Sequence, residues 1–476
     1  MKKTLTILLS LLFLLPVSAE QKAAEKKDSP VKEHLQNHFK LYGFIRNFFV
    51  YDSRDSKAGT GDLFYYLPLD NKWNTADVNN PAREDLNASP NFRFLALTSR
   101  VAFDVSGYYI NNLHFGAKVE GDFYSGLAAA KTANGLSGNT SVSGTAQARL
   151  RQAYVTLTWK DLPMRNDKTA QVGLKIGQAW HPMAADMPHV FSLEAGAPFG
   201  PFSRTPQVTM DAALGEHWIL SAAAIWQQQY QSAGPDGASA AYMKYACTPE
   251  VYAAVTLKGK EVLFRGGVDV VSIKPRNIGK NADGLTVHVK DRKTSVLGYL
   301  YGQYNHKLLS IKAKTTFGEG GEHMNLMSGY AVVDKTDPTN WKYASMLNSS
   351  SWLSLCYGKK WQGVLYLGYV KNFGLAKEVA SGYLESSDVY FCGNGFSNIN
   401  QMYRINPQLL YNLGKFTLGL EYQWTSVQYG DYRKGDYQIG GQQVKLTSGL
   451  NGIALATDNL HWVGNHRLNM MVKFTF

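Results

Sequence analysis

Two-residue alternation, with charge confined to one face, constrains this chain more than any other feature. In the segment 465–476, Leu468, Met470, Val472, Phe474 and Phe476 alternate with Arg467, Asn469, Met471, Lys473 and Thr475. Successive side chains of a strand point to opposite sides, so the segment has one apolar and one mostly polar face. The pattern recurs upstream. In 416–424, Phe416, Leu418, Leu420, Tyr422 and Trp424 oppose Thr417, Gly419, Glu421 and Gln423. In 113–124, Leu113, Phe115, Ala117, Val119 and Phe123 oppose His114, Lys118, Glu120, Asp122 and Tyr124. In 309–317, Leu309, Ile311, Ala313 and Phe317 oppose Ser310, Lys312, Lys314 and Thr316. Charges on one face only are what a barrel with a wet lumen and a lipid-facing exterior requires.

Sixteen such segments are predicted, near 39–52, 91–105, 113–125, 147–160, 170–180, 206–213, 217–230, 247–258, 261–276, 293–304, 308–318, 347–357, 362–373, 399–411, 415–429 and 465–476. Two of them, 147–160 and 347–357, alternate poorly. The linkers alternate in length. Those after even segments are short, such as Gly215-Glu216 and Asn412-Leu413-Gly414; those after odd segments are long, such as 53–90 and 181–205. Transmembrane barrels have brief periplasmic turns and extended external loops, whereas a soluble sandwich needs no such order. The expected fold is therefore all-β: a transmembrane antiparallel β-barrel over 39–476, of about sixteen strands, or eighteen if a long loop hides a weak pair. The order of linkers puts both termini in the periplasm.

The N-terminus predicts export. Lys2 and Lys3 precede the apolar run Leu5–Leu15, and Val17-Ser18-Ala19 offers small residues for cleavage, so 1–19 reads as a signal peptide. That run is too short for the roughly 20 residues of a spanning helix, and no later apolar stretch approaches that length. Residues 20–38 are charged and helix-compatible, a periplasmic tail too short for a plug. A content of 28 Tyr and 10 Trp suits the aromatic belts of membrane barrels. Cys247, Cys356 and Cys392 are odd in number and match no metal spacing. The formal charge of +12 is scattered singly along strands and not gathered in a stripe, which argues against nucleic acid as partner. No Gly-x-Ser-x-Gly, His-Glu-x-x-His or phosphate-loop motif is present, so the chain reads as no enzyme and as holding no cofactor.

One loop stands apart. Residues 181–206 carry five of the sixteen prolines and are less hydrophilic than the other long loops. Apolar side chains would be wasted on an external loop. Folded inward, Phe191, Leu193, Phe199 and Phe202 become buried while Asp186, Glu194 and Arg204 face the lumen, and the loop 181–205 becomes a constriction. His181, Asp186, His189 and Glu194 have no specific metal-ligand spacing. Cations on the predicted lumen faces are Arg100, Lys118, Lys175, Lys312, Lys314, Arg404 and Arg467, tempered by Asp104, Glu120, Asp122, Asp269 and Glu421. Acids on the loop facing bases on the wall would set up a transverse field, with a mild preference for anions. The competing reading is a barrel-anchored adhesin or structural protein that acts through its external loops.

The signal, the opening strand Phe39-Lys40-Leu41-Tyr42-Gly43-Phe44-Ile45-Arg46, the strand Gly173-Leu174-Lys175-Ile176-Gly177-Gln178-Ala179-Trp180 before the loop, and the terminal Phe476 together resemble Gram-negative outer-membrane porins. The nearest likeness is to the dicarboxylate-porin-like and phosphate-selective porin group, and the aromatic opening strand and long loops resemble proteins of the Bacteroidota. That resemblance implies a sixteen-stranded homotrimer, embedded in outer-membrane lipid and lipopolysaccharide, that passes small polar or anionic solutes with the loop after strand five folded inward. The sequence departs from the group in lacking a long N-terminal coiled coil and an evident Arg/Lys ladder.

Overall fold

A computed structural model describes residues 38–59, 64–96, 98–124, 147–165, 168–377, 388–391, 399–431, 435–439, 442–446 and 458–476. The predicted signal, nearly all of the tail and Cys392 lie outside the described residues. The chain forms a closed antiparallel barrel of sixteen strands. The strands are β1 (Phe39–Asp52), β2 (two segments, Asn91–Leu95 and Arg100–Ile110), β3 (Leu113–Tyr124), β4 (Gln147–Pro163) and β5 (Thr169–Trp180). Next come β6 (Arg204–Leu214), β7 (Trp218–Ile225), β8 (Glu250–Lys258), β9 (Val262–Ile273), β10 (Lys293–His306) and β11 (Leu309–Glu319). The wall ends with β12 (Lys342–Gly358), β13 (Trp361–Leu375), β14 (Ile399–Leu413), β15 (Phe416–Asp431) and β16 (Asp458–Thr475). Each pairs with its sequence neighbours, and β16 closes on β1 from Phe44↔Thr475 to Asp52↔Arg467. Closure removes the free edges an open sheet would expose.

The alternation read from the sequence becomes two chemically distinct surfaces. On β15 and β16, the paired Leu420 and Met470 are 46% and 50% exposed, whereas the next pair, Glu421 and Asn469, is fully buried and 3% exposed. The same holds at Val101, Val119, Phe264, Leu300 and Phe317, all exposed and apolar on the outer surface. Aromatic pairs gird both rims: Trp361 with Tyr411 and Phe416 with Phe474 at the short-turn end, Phe49 with Phe94 toward the other. Such belts sit where hydrocarbon gives way to headgroups. Gly215 and Gly414 take left-handed φ of 63° and 59° in the short turns, a conformation glycine adopts without a Cβ clash.

The structure differs from the sequence expectation at several boundaries. The final strand starts at Asp458, not 465, and β7 stops at Ile225, not 230. The expected loops also hold structure of their own. Ser56–Gly59 pairs with Phe64–Pro68, Gly329–Asp334 pairs with the start of β12 on one side and Val389–Phe391 on the other, and a short helix, Ala241–Ala246, precedes β8. These pieces are too short for periodicity to reveal.

Candidate functional site

The segment after β5 begins at His181, whose Nδ1 accepts the Met183 N–H at 3.2 Å and caps a single 3-10 turn, Pro182–Ala184. From there it contacts one wall strand after another. Asp186 pairs with Arg265 of β9 at 2.6 Å. Lys314 of β11 donates to the carbonyls of Met183 and Asp186 at 2.6 and 3.0 Å, and Lys312 donates to that of Met187 at 3.3 Å. The His189 N–H donates to Ser354 Oγ of β12 at 3.0 Å, and its ring bonds Ser310 Oγ at 2.9 Å. Tyr366 of β13 donates to the Gly196 carbonyl, and Phe191 N–H donates to Gln408 of β14. Glu194 meets Arg467 of β16 at 3.1 Å and Arg404 of β14 at 3.5 Å. Arg467 in turn binds Asp52 of β1 at 2.7 Å.

Apolar side chains fix the same segment. Met183 and Phe199 are fully buried, Phe202 and Phe191 nearly so. Two wall glycines make room for the rings. A Cβ on Gly368 would stand 2.6 Å from Phe199 Cγ, and one on Gly419 would stand 3.0 Å from Phe191 Cε1. The Arg404 guanidinium lies 4.8 Å from the Phe199 ring, a cation over an aromatic face.

The wall of β1 to β4 is different. A cavity of about 260 Å³ lies between it and the segment's Ser192, Leu193 and Ala195, lined by Arg46, Arg100, Arg149 and Arg151 with Asp122 as the one acid. Arg149 binds Asp122 through two bonds of 2.9 Å; Arg151 bridges Glu120 at 2.8 Å and Asp122 at 2.7 Å; Arg100 lies 3.6 Å from Glu120. Arg46 donates to the Thr98 hydroxyl at 3.2 Å. Guanidinium groups therefore outnumber carboxylates here, and their planar forks suit oxyanions.

Of the site residues expected from the sequence, Arg100 and Glu120 stand at this arginine wall. Lys118 lies farther along β3, bonded to Tyr42 and 3.2 Å from Asp104. Lys175, over the Tyr154 ring, lines a second cavity with Asp211 and Arg265. Lys312, Lys314 and Arg404 are bonded to the segment's own carbonyls or acids, and Glu421 is buried, accepting from Asn469 at 3.3 Å. The transverse field expected from loop acids across an open lumen is not what the contacts give. Asp186 and Glu194 are matched by wall arginines, because burial of a lone carboxylate costs more than its pairing. Arg204 is the first residue of β6, not a loop residue, and is 2% exposed beneath Trp180.

Arg46, Arg149 and Arg151 were missed, and with them the cluster that the sequence seemed to lack. For Arg149 and Arg151 the reason is a β-bulge. Gln152 pairs with Glu120 and Leu150 with Gly121, so Arg151 is an extra residue and the facing of β4 flips beside it. That flip is why 147–160 alternates poorly. The signal that remained was Arg149-Leu150-Arg151 itself, a cation-apolar-cation triplet.

No family model matches the chain, and no curated protein sequence matches it. Solved structures do. The outer membrane channel DcaP of Acinetobacter baumannii shares 15% identity, with a TM-score of 0.55 over 92% of this chain and 97% of that one. An anion-selective porin from Comamonas acidovorans shares 9%, with a TM-score of 0.47 over 92% of this chain and 99% of that one. OmpT of Vibrio cholerae shares 10%, with a TM-score of 0.46 over 92% and 97%. At these identities the likeness is one of fold, and the fold this chain has is the porin-type barrel.

Proposed function

We propose that this chain is an outer-membrane porin for passive diffusion of small polar solutes, with a preference for anions, and that it performs no catalysis. In this reading residues 181–203 fold inward and narrow the lumen to a slot against the β1–β4 wall. The observation that carries it is the excess of guanidinium over carboxylate around the 260 Å³ cavity. Rings of one charge set ion preference in pores. Carboxylate or phosphate solutes suit the forked donors of Arg100, Arg149 and Arg151. The sequence resemblance adds a homotrimer in lipid and lipopolysaccharide, and the order of short and long linkers argues for both termini in the periplasm.

Planar-bilayer recording tests this. The full chain is expected to conduct and to give an anion-selective reversal potential in asymmetric salt. The paired change Arg149→Glu with Arg151→Glu should move that potential toward cations. An unchanged ratio overturns the anion reading. A folded chain that does not conduct overturns the pore and favours a barrel that acts through its external loops.

A further inference from the structure

Four side chains from four separate elements converge under the base of the 181–203 segment: His181 from its start, Glu250 from β8, Asp269 from β9, and His323 from the short turn Glu322–Met324. None is more than 2% exposed. His181 Nε2 lies 2.6 Å from Glu250 Oε1 and 3.7 Å from Asp269 Oδ1. His323 Nε2 lies 3.2 Å from Glu250 Oε1 and 3.6 Å from Asp269 Oδ2.

Hydrogen bonding leaves this cluster incomplete. Glu250 Oε2, Asp269 Oδ1 and both ring nitrogens of His323 are buried without a hydrogen-bond partner. Buried polar atoms normally find partners, so this concentration of unpartnered atoms, at least three of them with lone pairs to offer, points to a missing acceptor. The charges leave the same gap. The one nearby amine, Lys293, is paired with Glu322 at 3.0 Å. Two carboxylates with one imidazolium would bury a net negative charge; two carboxylates, neutral imidazoles and a divalent cation sum to zero.

We propose that Glu250, Asp269 and His323 coordinate a divalent transition-metal ion, zinc by the nature of the donors, with His181 as the positioning residue. Imidazole and carboxylate donors suit zinc, held at about 2.0–2.2 Å in a tetrahedral array whose donors stand about 3.3 Å apart. The two His323 distances straddle that edge length. The 2.6 Å contact of His181 is shorter and is a hydrogen bond. Its Nδ1 accepts the Met183 N–H, so its proton sits on Nε2 and is donated to Glu250 Oε1. That is how an outer group orients a metal ligand. The rival occupant is a proton. The same two carboxylates, 3.2 and 3.6 Å from its Nε2, would hold a proton on His323, so the metal binds in competition with protonation.

The ion would tie the segment's base and the 320s turn to the β8–β9 wall, independently of whether the barrel conducts. The test is metal content of the full chain in detergent, dialysed against EDTA, reloaded with zinc alone, dialysed again and measured by elemental analysis. About one zinc per chain is expected. His323→Gln with Asp269→Asn should abolish retention, and His181→Gln should weaken it about 10–100-fold. Heat-modifiable gel mobility reports folding; if the double variant does not fold, Asp269→Asn alone is read the same way. Wild type that retains no zinc, or a folded variant that retains it fully, overturns the proposal.

Discussion

The two halves of the barrel's inner wall use the same residue types to opposite ends. From β9 to β16, Arg265, Lys312, Lys314, Arg404 and Arg467 are covered by the 181–203 segment, and each meets a carboxylate or a carbonyl of it. From β1 to β4, arginines crowd a cavity and exceed the carboxylates beside them. What separates the halves is cover. Under the segment a cation left unmatched costs several kcal/mol, and these five are all matched. Beside a cavity, water or a solute shares the burden, and excess charge is tolerated. An arginine's role in this fold is therefore set less by its strand than by what lies over it.

Removing Glu194 should break the contrast most severely. Glu194→Ala strands Arg404 and Arg467 without their shared carboxylate, at a cost of about 3–5 kcal/mol. A lower urea midpoint and a larger, noisier conductance are expected; an unaltered midpoint would mean the covered half needs no charge matching. Phe199→Ala should follow at about 3 kcal/mol or somewhat more, since the ring is fully buried against Gly368. Arg149→Glu with Arg151→Glu should leave the covered half intact while changing the anion-to-cation permeability ratio about tenfold, the low end of what charge-lined clefts do to local ion concentration.

His189 gives the contrast a pH dependence. Burial, and then the nearby Lys312, lower its pKa to about 4. The unfolded chain takes up that proton near pH 6.5, so between 6.5 and 4 the folded state holds fewer protons. Stability from this group is complete above about 6.5 and falls as pH drops through 4. Urea midpoints should decline across that window, and His189→Asn should flatten the decline. The smallest change is expected at Lys118→Ala. Its partner Asp104 is 35% exposed, so the loss is within about 1 kcal/mol.

Much of this was legible beforehand. Strands such as 416–424 declared themselves because hydrocarbon on one side and polar groups on the other force strict alternation. The 181–205 loop stood out because its prolines and phenylalanines had no use in water. Arg149 and Arg151 were hidden by one extra residue that reversed the facing of β4. The fate of Asp186 and Glu194 depended on which wall strands the segment reached, which no local spacing records. The His181, Glu250, Asp269 and His323 cluster draws on four elements across more than a hundred residues, so it exists only once the wall has curled.

The contact between Glu194 and Arg467 has a consequence for assembly. Arg467 belongs to the last strand, beside Asp52 of the first. Until that strand arrives, Glu194 lacks one of its two arginine partners, and the seam lacks the carboxylate that faces it from within. Zipping the cylinder shut and seating its inner segment are thus one cooperative event, and a chain truncated before 467 forfeits both.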